Sequence, residues 1–126
     1  MDFLQRRGYL AVSPNPDPAK EYVATIEGKM DTGKIDVALR YVPDRDILDP
    51  GSFAAYLDVL GGMAWDSLEK AAVTIIDDIN NEVVPRWARV VLSTKEGGTG
   101  YRHSVLLEDR QPKWANPALI NRLKLH

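Results

Sequence analysis

Six side chains of this 126-residue sequence are candidates for acid–base chemistry or for holding a polar ligand. They are Lys29, Asp31, Asp36, Asp49, Glu69 and His103. An aspartate or a histidine transfers protons well when its pKa lies near the working pH, and a desolvated lysine amine can act as a nucleophile. The sequence contains no cysteine, which excludes a thiol nucleophile, a thiolate metal ligand and a disulfide.

The composition restricts the possible ligands and partners. The two histidines, His103 and His126, cannot form a multi-histidine site within one chain, so we predict no bound metal. Sixteen basic and eighteen acidic residues give a net charge of -2, whereas general nucleic-acid and membrane-surface binders are usually basic. No apolar run approaches the ~18 residues of a membrane helix, and no apolar segment follows the charged N-terminal residues as in a secretory signal. We therefore predict a cytoplasmic protein.

The elements that must position these side chains follow from the hydrophobic pattern. Residues 22–26 favour a strand, and residues 34–42 alternate polar and apolar side chains as a half-buried strand does. A turn over residues 28–33 joins the two strands into a hairpin. Residues 87–94 and 101–107 predict a second hairpin, whose glycine-rich connection over residues 95–100 is typical of a turn between strands rather than of a phosphate-binding loop.

Two helices are predicted between the hairpins. Asp49 and Pro50 are typical of an N-cap and a first helical residue, and Gly61-Gly62 ends that helix. The second helix begins at Asp66, carries apolar residues at three-four spacing and ends at Pro85. Asn116-Pro117 predicts a short helix near the C-terminus.

The predicted order is strand-strand-helix-helix-strand-strand, an α+β fold with both helices on one face of an antiparallel sheet. We assign residues 1–20, which are proline-rich, to an extended lead-in, residues 21–110 to one domain and residues 111–126 to a tail. Because a four-stranded sheet has two exposed edges, we expect the chain to form a homo-oligomer in which the sheets close into a barrel.

Several short motifs carry a family resemblance. They are Asn15-Pro16-x-Pro18-x-x-x-Tyr22, Tyr41-Val42-Pro43-Asp44, Ile47-Leu48-Asp49-x-x-Ser52-x-x-x-Tyr56-Leu57, and Asp78-Ile79 followed by Pro85-Arg86. In this order they resemble the NADPH-dependent 7-cyano-7-deazaguanine (preQ0) reductases of queuosine biosynthesis, over residues 13–98. That family has the tunnelling fold, which GTP cyclohydrolase I, dihydroneopterin aldolase and pyruvoyltetrahydropterin synthase share.

The resemblance implies a binding site for a purine- or pterin-like base between protomers. Glu69 matches the glutamate with which the family holds its base, and Asp49 stands where the family has a second acidic residue. A carboxylate suits this role because it accepts two hydrogen bonds from an N–H edge. Asp31 or Asp36 stands near the position of the family's proton donor.

The sequence departs from the family in its catalytic parts. The segment over residues 28–33 lacks the cysteine that attacks the nitrile, and Leu68 replaces the histidine before the base-binding glutamate. Pro50-Gly51 and Glu96-Gly97-Gly98 replace the family's Ser-Lys and Arg-Gly-Gly, which would meet the NADPH phosphates. A glutamate in place of arginine reverses the sign of that contact. The resemblance therefore implies neither nitrile reduction by the cysteine mechanism nor an NADPH cofactor, and we predict no cofactor.

Each candidate also has a purely structural interpretation. Asp66-x-x-Glu69 forms a capping box, and Asp49 is explained by its N-cap role alone. Adjacent helical side chains point about 100° apart, so Asp77-Asp78 is read as a solvated face. Lys29 fits a surface turn, and His103 fits a packed strand position.

Three functions remain open from the sequence. The first is a relative of the preQ0 reductases that binds a heterocycle through Glu69 without reducing it. The second is a thiol-independent enzyme, hydrating or hydrolysing a heterocycle, that uses Asp31 or Asp36, Lys29 and His103. The third is a structural or assembly subunit. The sequence leaves open whether the protein is an enzyme.

Overall fold

A four-stranded antiparallel sheet with two helices on one face forms the centre of the computed structural model, which describes residues 3–95, 98 and 100–123. In spatial order its strands are β2 (Ala24–Met30), β3 (Ile35–Val42), β5 (Trp87–Thr94) and β6 (Ser104–Arg110). The helices are α2 (Pro50–Gly61) and α3 (Leu68–Glu82). The predicted α+β arrangement is confirmed, as is the order along the chain of these four strands and two helices.

The apolar alternation of β2 and β3 sets which face of the sheet meets the helices. Val37, Leu39 and Tyr41 of β3 are buried with the helices, so the side chains between them point to the other face. Gly28, which we predicted in the turn, instead lies in β2 opposite Val37. A Cβ on Gly28 would lie 2.8 Å from a Leu57 methyl group, so α2 packs closely over a strand position that carries no side chain. The turn is correspondingly shorter and spans residues 31–34.

Helix α2 begins and ends as predicted. The Asp49 side chain accepts a hydrogen bond from the Ser52 backbone N–H at 2.8 Å, and Gly62 follows as the C-cap. Tyr56 and Leu60 are among the residues of α2 that are fully buried. Each buried aromatic or leucine side chain contributes about 1.5–3 kcal/mol through removal from water.

Helix α3 begins one residue later than predicted. Its N-cap is Ser67, whose Oγ accepts from the Lys70 backbone N–H at 3.1 Å, and not Asp66. The backbone of Ser67 is extended, and its short hydroxyl reaches the first turn directly. Glu69 is therefore the second helical residue, and the predicted capping box between Asp66 and Glu69 is wrong.

The predicted solvated pair on α3 is also wrong for one of its members. Asp77 is exposed, but the side chain of Asp78 is completely buried. Asp78 follows Ile75 by three residues and precedes Ile79, so it lies on the apolar stripe that packs into the core. The position of Asp78 relative to these two isoleucines could have predicted its burial from the sequence.

The lead-in contains short elements in addition to its extended proline-rich segment. Helix α1 (Phe3–Arg7) was not predicted, and β1 (Val12–Pro14) pairs with β4 (Asp46–Leu48) in a separate two-stranded sheet. Helix α1 lies against α2 and α3.

The C-terminal segment contains α4 (Pro117–Ile120), capped by Asn116 as predicted. Glu21 accepts hydrogen bonds from Trp114 Nε1 at 2.9 Å and from Asn116 Nδ2 at 2.7 Å. These bonds, that from Trp114 above all, lower the pKa of Glu21, because they stabilise its charged form. The contact ties this segment to the chain just before β2.

The second hairpin differs from its prediction at one end, since β6 begins at Ser104 and not at residue 101. In its connection, Gly98 and Gly100 have positive φ angles of 85° and 87°, as turn glycines do. Glu96, Gly97 and Thr99 of that connection, like His126, lie outside the described residues. None of the described helices combines the length and the apolar character needed to cross a membrane.

Candidate functional site

A cleft of about 320 Å³ opens where the N-terminus of α3 meets the β2–β3 turn and the chain before β6. Two of the predicted site residues, Asp31 and His103, line it. Its apolar walls are Met63, Trp65, Leu68 and Tyr101. Indole and phenol rings offer flat surfaces on which a planar ligand can stack.

Glu69 contacts His103 at the edge of this cleft. His103 Nε2 lies 3.1 Å from Glu69 Oε2, within hydrogen-bond distance. The two side chains come from α3 and from the residue before β6, and both are well exposed, at 59% and 40%. His103 is fixed by its backbone, which exchanges hydrogen bonds with Thr94 at the end of β5. The sheet thus presents an imidazole to the first turn of the helix, which residue spacing alone could not reveal.

Asp31 reaches the cleft through an unusual turn. It has a positive φ of 55°, as do Thr32 and Gly33 after it, at 54° and 84°. Left-handed backbone is costly for residues with a Cβ, so the surrounding structure must hold this turn in place. One restraint is Gly61 at the end of α2, where a Cβ would lie only 2.5 Å from the Asp31 backbone nitrogen. The close approach of helix to turn requires a glycine at position 61.

Lys29 and Asp36 lie on the other face of the sheet. They are directly opposite each other on β2 and β3, and Lys29 Nζ lies 3.5 Å from Asp36 Oδ1. The pKa of Lys29 is raised above its ordinary value, and the pairing of its amine with the Asp36 carboxylate favours the charged form. A nucleophilic amine needs a lowered pKa and desolvation, and the Lys29 side chain is 58% exposed. The structure therefore does not bring these two residues to the cleft.

Asp49 also lies far from the cleft within one chain. It caps the N-terminus of α2, whereas Gly61 at the other end of that helix lines the cleft. The twelve residues of α2 span about 18 Å. Its predicted contact with a base remains a prediction that would require a second protomer.

The residues of the cleft offer hydrogen bonds and stacking rather than metal coordination. No group of three or more histidine, aspartate or glutamate side chains that could hold a metal ion occurs in the described part of the chain. Hydrogen-bond acceptors are provided by the carboxylates of Glu69 and Asp31, and the imidazole of His103 can donate a hydrogen bond. Such a set can bind the N–H edge of a heterocycle or transfer protons.

A larger cavity of about 570 Å³ lies between the end of β6 and the C-terminal segment. Trp87 and Trp114 line it together with Glu108 and Asp109. It contains none of the six residues that the sequence singled out. Trp87 Nε1 already donates to Glu108 Oε2 at 2.8 Å, and Trp114 Nε1 donates to Glu21, so both indoles have structural partners here.

Comparison with known proteins shows what the chain is similar to. No family model matches the chain. Over 123 residues it is 28% identical to the NADPH-dependent 7-cyano-7-deazaguanine reductase of Syntrophus aciditrophicus (strain SB), covering 86% of this chain and 82% of that protein. The fold is similar to that of the archaeosine synthase QueF-Like in its apo form, with a TM-score of 0.54, 18% identity, and coverage of 79% of this chain and 92% of the other.

A dihydroneopterin aldolase structure described as putative, FolB from Vibrio cholerae O1 biovar El Tor str. N16961, matches with a TM-score of 0.32 and 10% identity, too low to support an argument. The reductase similarity covers most of the chain, and the archaeosine synthase shares its fold. The resemblance found in the sequence motifs is therefore confirmed: this chain has the tunnelling fold, is similar in sequence to a preQ0 reductase over most of its length, and contains no cysteine.

Proposed function

We propose that the protein binds a planar purine- or pterin-like heterocycle in the cleft beside Glu69 and His103, without reducing a nitrile. The contact between these two side chains, at the mouth of a cleft with aromatic walls, is the observation that carries the proposal. Nitrile reduction by the family's mechanism needs a thiol, and the chain has no cysteine.

His103 gives Glu69 a partner that orients it for a ligand. The family's histidine directly before the base-binding glutamate is Leu68 in this chain, and His103 brings an imidazole to the same carboxylate from another element. The imidazole contacts Oε2, and no described residue forms a hydrogen bond with Oε1, so Oε1 is available to an N–H of a ligand. A carboxylate that receives such bonds from a heterocycle holds it more strongly than a neutral acceptor does.

The binding test compares Glu69→Gln with wild type by isothermal titration calorimetry against preQ0, guanine and neopterin. Glutamine keeps the shape of the side chain but loses the charge and replaces one acceptor with a donor. We expect the affinity for the bound heterocycle to fall by about 10- to 100-fold, because a charge-assisted hydrogen bond contributes about 1.5–3 kcal/mol. Glu82→Gln is the matched control, since Glu82 is an exposed glutamate at the far end of the same helix.

Wild-type protein that binds none of the three compounds would contradict the proposal and favour the structural or assembly role. Equal affinities of wild type and Glu69→Gln would show that a base binds elsewhere. His103→Asn is expected to weaken binding less than Glu69→Gln does, because His103 acts on the ligand through Glu69.

The second candidate, a thiol-independent enzyme, is favoured by a different observation. Asp31 and His103 line the same cleft. A carboxylate and an imidazole are the groups that acid–base hydration or hydrolysis of a heterocycle uses. Turnover of any heterocycle found to bind, followed by mass spectrometry, tests this function. Loss of turnover in Asp31→Asn with binding retained would support it, and unchanged turnover in both Asp31→Asn and His103→Asn would reject it.

A further inference from the structure

Short side chains leave a depression in the sheet face that carries no helix. This face is formed by the β3 residues that alternate with its buried ones and by their neighbours in the strand register. Ala38 lies opposite Val91 at the centre of the face. The adjacent cross-strand row is polar in all four strands and consists of Lys29, Asp36, Ser93 and Ser104.

The depression has a volume of about 550 Å³, and its lining is polar around an apolar centre. Ala38 and Val91 line it, together with Lys29 and Asp36 from the polar row. Glu27, which lies opposite Ala38 on β2, lines it as well. Pockets for small molecules have volumes of about 300–1,000 Å³, so the depression is large enough for one.

The charged groups of the lining have both signs and unused hydrogen-bonding capacity. Lys29 Nζ lies 3.5 Å from Asp36 Oδ1, and both side chains are about half exposed. An ammonium group has three donors and a carboxylate has about four acceptor sites, so this single contact leaves most of the capacity of both groups unused. The Glu27 carboxylate has no hydrogen-bond or ion-pair partner among the described residues.

This mixture of charges favours a neutral ligand. An anion would be repelled by Glu27 and Asp36, and a cation would be repelled by Lys29. A hydroxyl group both donates and accepts, so it can donate to a carboxylate and accept from the ammonium group. Because Lys29 and Asp36 present a donor and an acceptor side by side, two neighbouring hydroxyls of one molecule can bind them together.

We propose that Glu27, Lys29 and Asp36 form a binding site for a neutral ligand with vicinal hydroxyl groups, that is, a sugar or an open-chain polyol. Hydrogen bonds to the charged groups fix the hydroxyls, and the C–H groups of the ligand lie on Ala38 and Val91. The site shares no lining residue with the Glu69–His103 cleft, so it stands or falls independently of the proposed function.

Titration with methyl β-D-ribofuranoside, followed by the amide NMR signals of the full chain, tests the site. A local signal is needed because sugars also stabilise proteins generally, through exclusion from the protein surface. We expect saturable shifts at Lys29, Asp36 and Ala38. The amide of Ala71, in the helix layer on the other face, is expected to stay unchanged.

Two further ligands identify the group that is recognised. The 2-deoxy form of the same riboside has no vicinal hydroxyls, and we expect it to bind at least about tenfold more weakly, because a hydrogen bond to a charged group is lost. Glycerol has vicinal hydroxyls but no ring. Weaker binding of glycerol than of the riboside would assign the site to a sugar, and equal binding would assign it to polyols in general.

Asp36→Asn is expected to weaken binding of the riboside about tenfold, because the charged acceptor is lost while the shape of the side chain is kept. Asp58→Asn, the same change at an exposed position of α2, is the matched control and is expected to bind like wild type. Lys29→Gln removes the charged donor and is expected to weaken binding as well.

Three results would overturn the proposal. The first is the absence of saturable shifts at Lys29, Asp36 and Ala38 in wild-type protein. The second is equal affinity for the riboside and its 2-deoxy form, because vicinal hydroxyls would then not be recognised. The third is equal affinity of Asp36→Asn and Asp58→Asn for the riboside.

Discussion

Helix α3 carries Glu69 near its N-terminal end and Asp78 near its C-terminal end, and these two carboxylates have opposite surroundings. Asp78 is completely buried and accepts hydrogen bonds from Arg6 Nε and Arg7 Nε, both at 2.7 Å, and from the Tyr56 hydroxyl at 2.5 Å. Glu69 is 59% exposed and has one described partner, His103. The residues lie about 14 Å apart along the same helix.

The difference separates a structural carboxylate from one that is available to a ligand. The acceptor capacity of Asp78 is occupied by three side chains, and those bonds fasten α1 to the helix layer. Burial, together with the bond to Asp78, raises the pKa of Tyr56 far above its ordinary value, so Tyr56 stays a neutral donor. Glu69 is not enclosed in this way, which is why we propose that a ligand binds at that end of α3.

The largest expected effect is from the substitution Asp78→Asn. It removes the buried carboxylate that pairs with Arg6 and Arg7, whose side chains are 16% and 17% exposed. Breaking an ion pair with a buried member in this way costs about 3–5 kcal/mol. We expect the free energy of unfolding in urea to fall by that amount. Asp77→Asn, the exposed neighbour, is the control and should change it by less than about 0.5 kcal/mol. Similar losses in both variants would contradict the assignment of Asp78 as the structural carboxylate.

An intermediate loss of stability is expected from Gly61→Ala, which changes the contact between α2 and the β2–β3 turn beside the cleft. The new Cβ would clash with the Asp31 backbone, so the β2–β3 turn must move, at a cost of about 1–3 kcal/mol. Gly62→Ala is the matched control, because a Cβ there meets no atom closer than 3.6 Å. Chemical denaturation measures the stability of both variants, and the NMR shift of the Asp31 amide reports the turn. An unperturbed amide in Gly61→Ala would show that the turn is not held by this approach.

The smallest effect on stability is expected from Glu69→Gln. Exposed ion pairs contribute about 0–1 kcal/mol, so the free energy of unfolding should change by less than about 1 kcal/mol. The same variant is expected to lose ligand affinity, as described above. A loss of stability comparable to that of Asp78→Asn would make Glu69 a structural residue and remove the contrast between the two ends of the helix.

The order of the elements follows from the sequence because it depends on local patterns. Alternation over residues 34–42, the Asp49-Pro50 start and the Gly61-Gly62 end of α2 each reflect short-range backbone chemistry, and the structure has all three. The start of α3 was missed by one residue because Asp66 and Ser67 are both good caps. The preference of a residue type for the N-cap position does not by itself decide which of two adjacent residues is the N-cap.

The sequence by itself determined the absence of thiol chemistry, the α+β class and the six side chains able to act on a polar ligand. Only the tertiary structure decided how they divide. Glu69, His103 and Asp31 lie at one cleft, Lys29 and Asp36 lie on the opposite face of the sheet, and Asp49 caps the far end of α2. It also decided that Asp78 is buried beneath Arg6 and Arg7, which precede it by more than seventy positions. Contacts between residues so distant in the sequence depend on how the helices and the sheet pack. Periodicity and capping patterns reflect only interactions between residues within a few positions of each other.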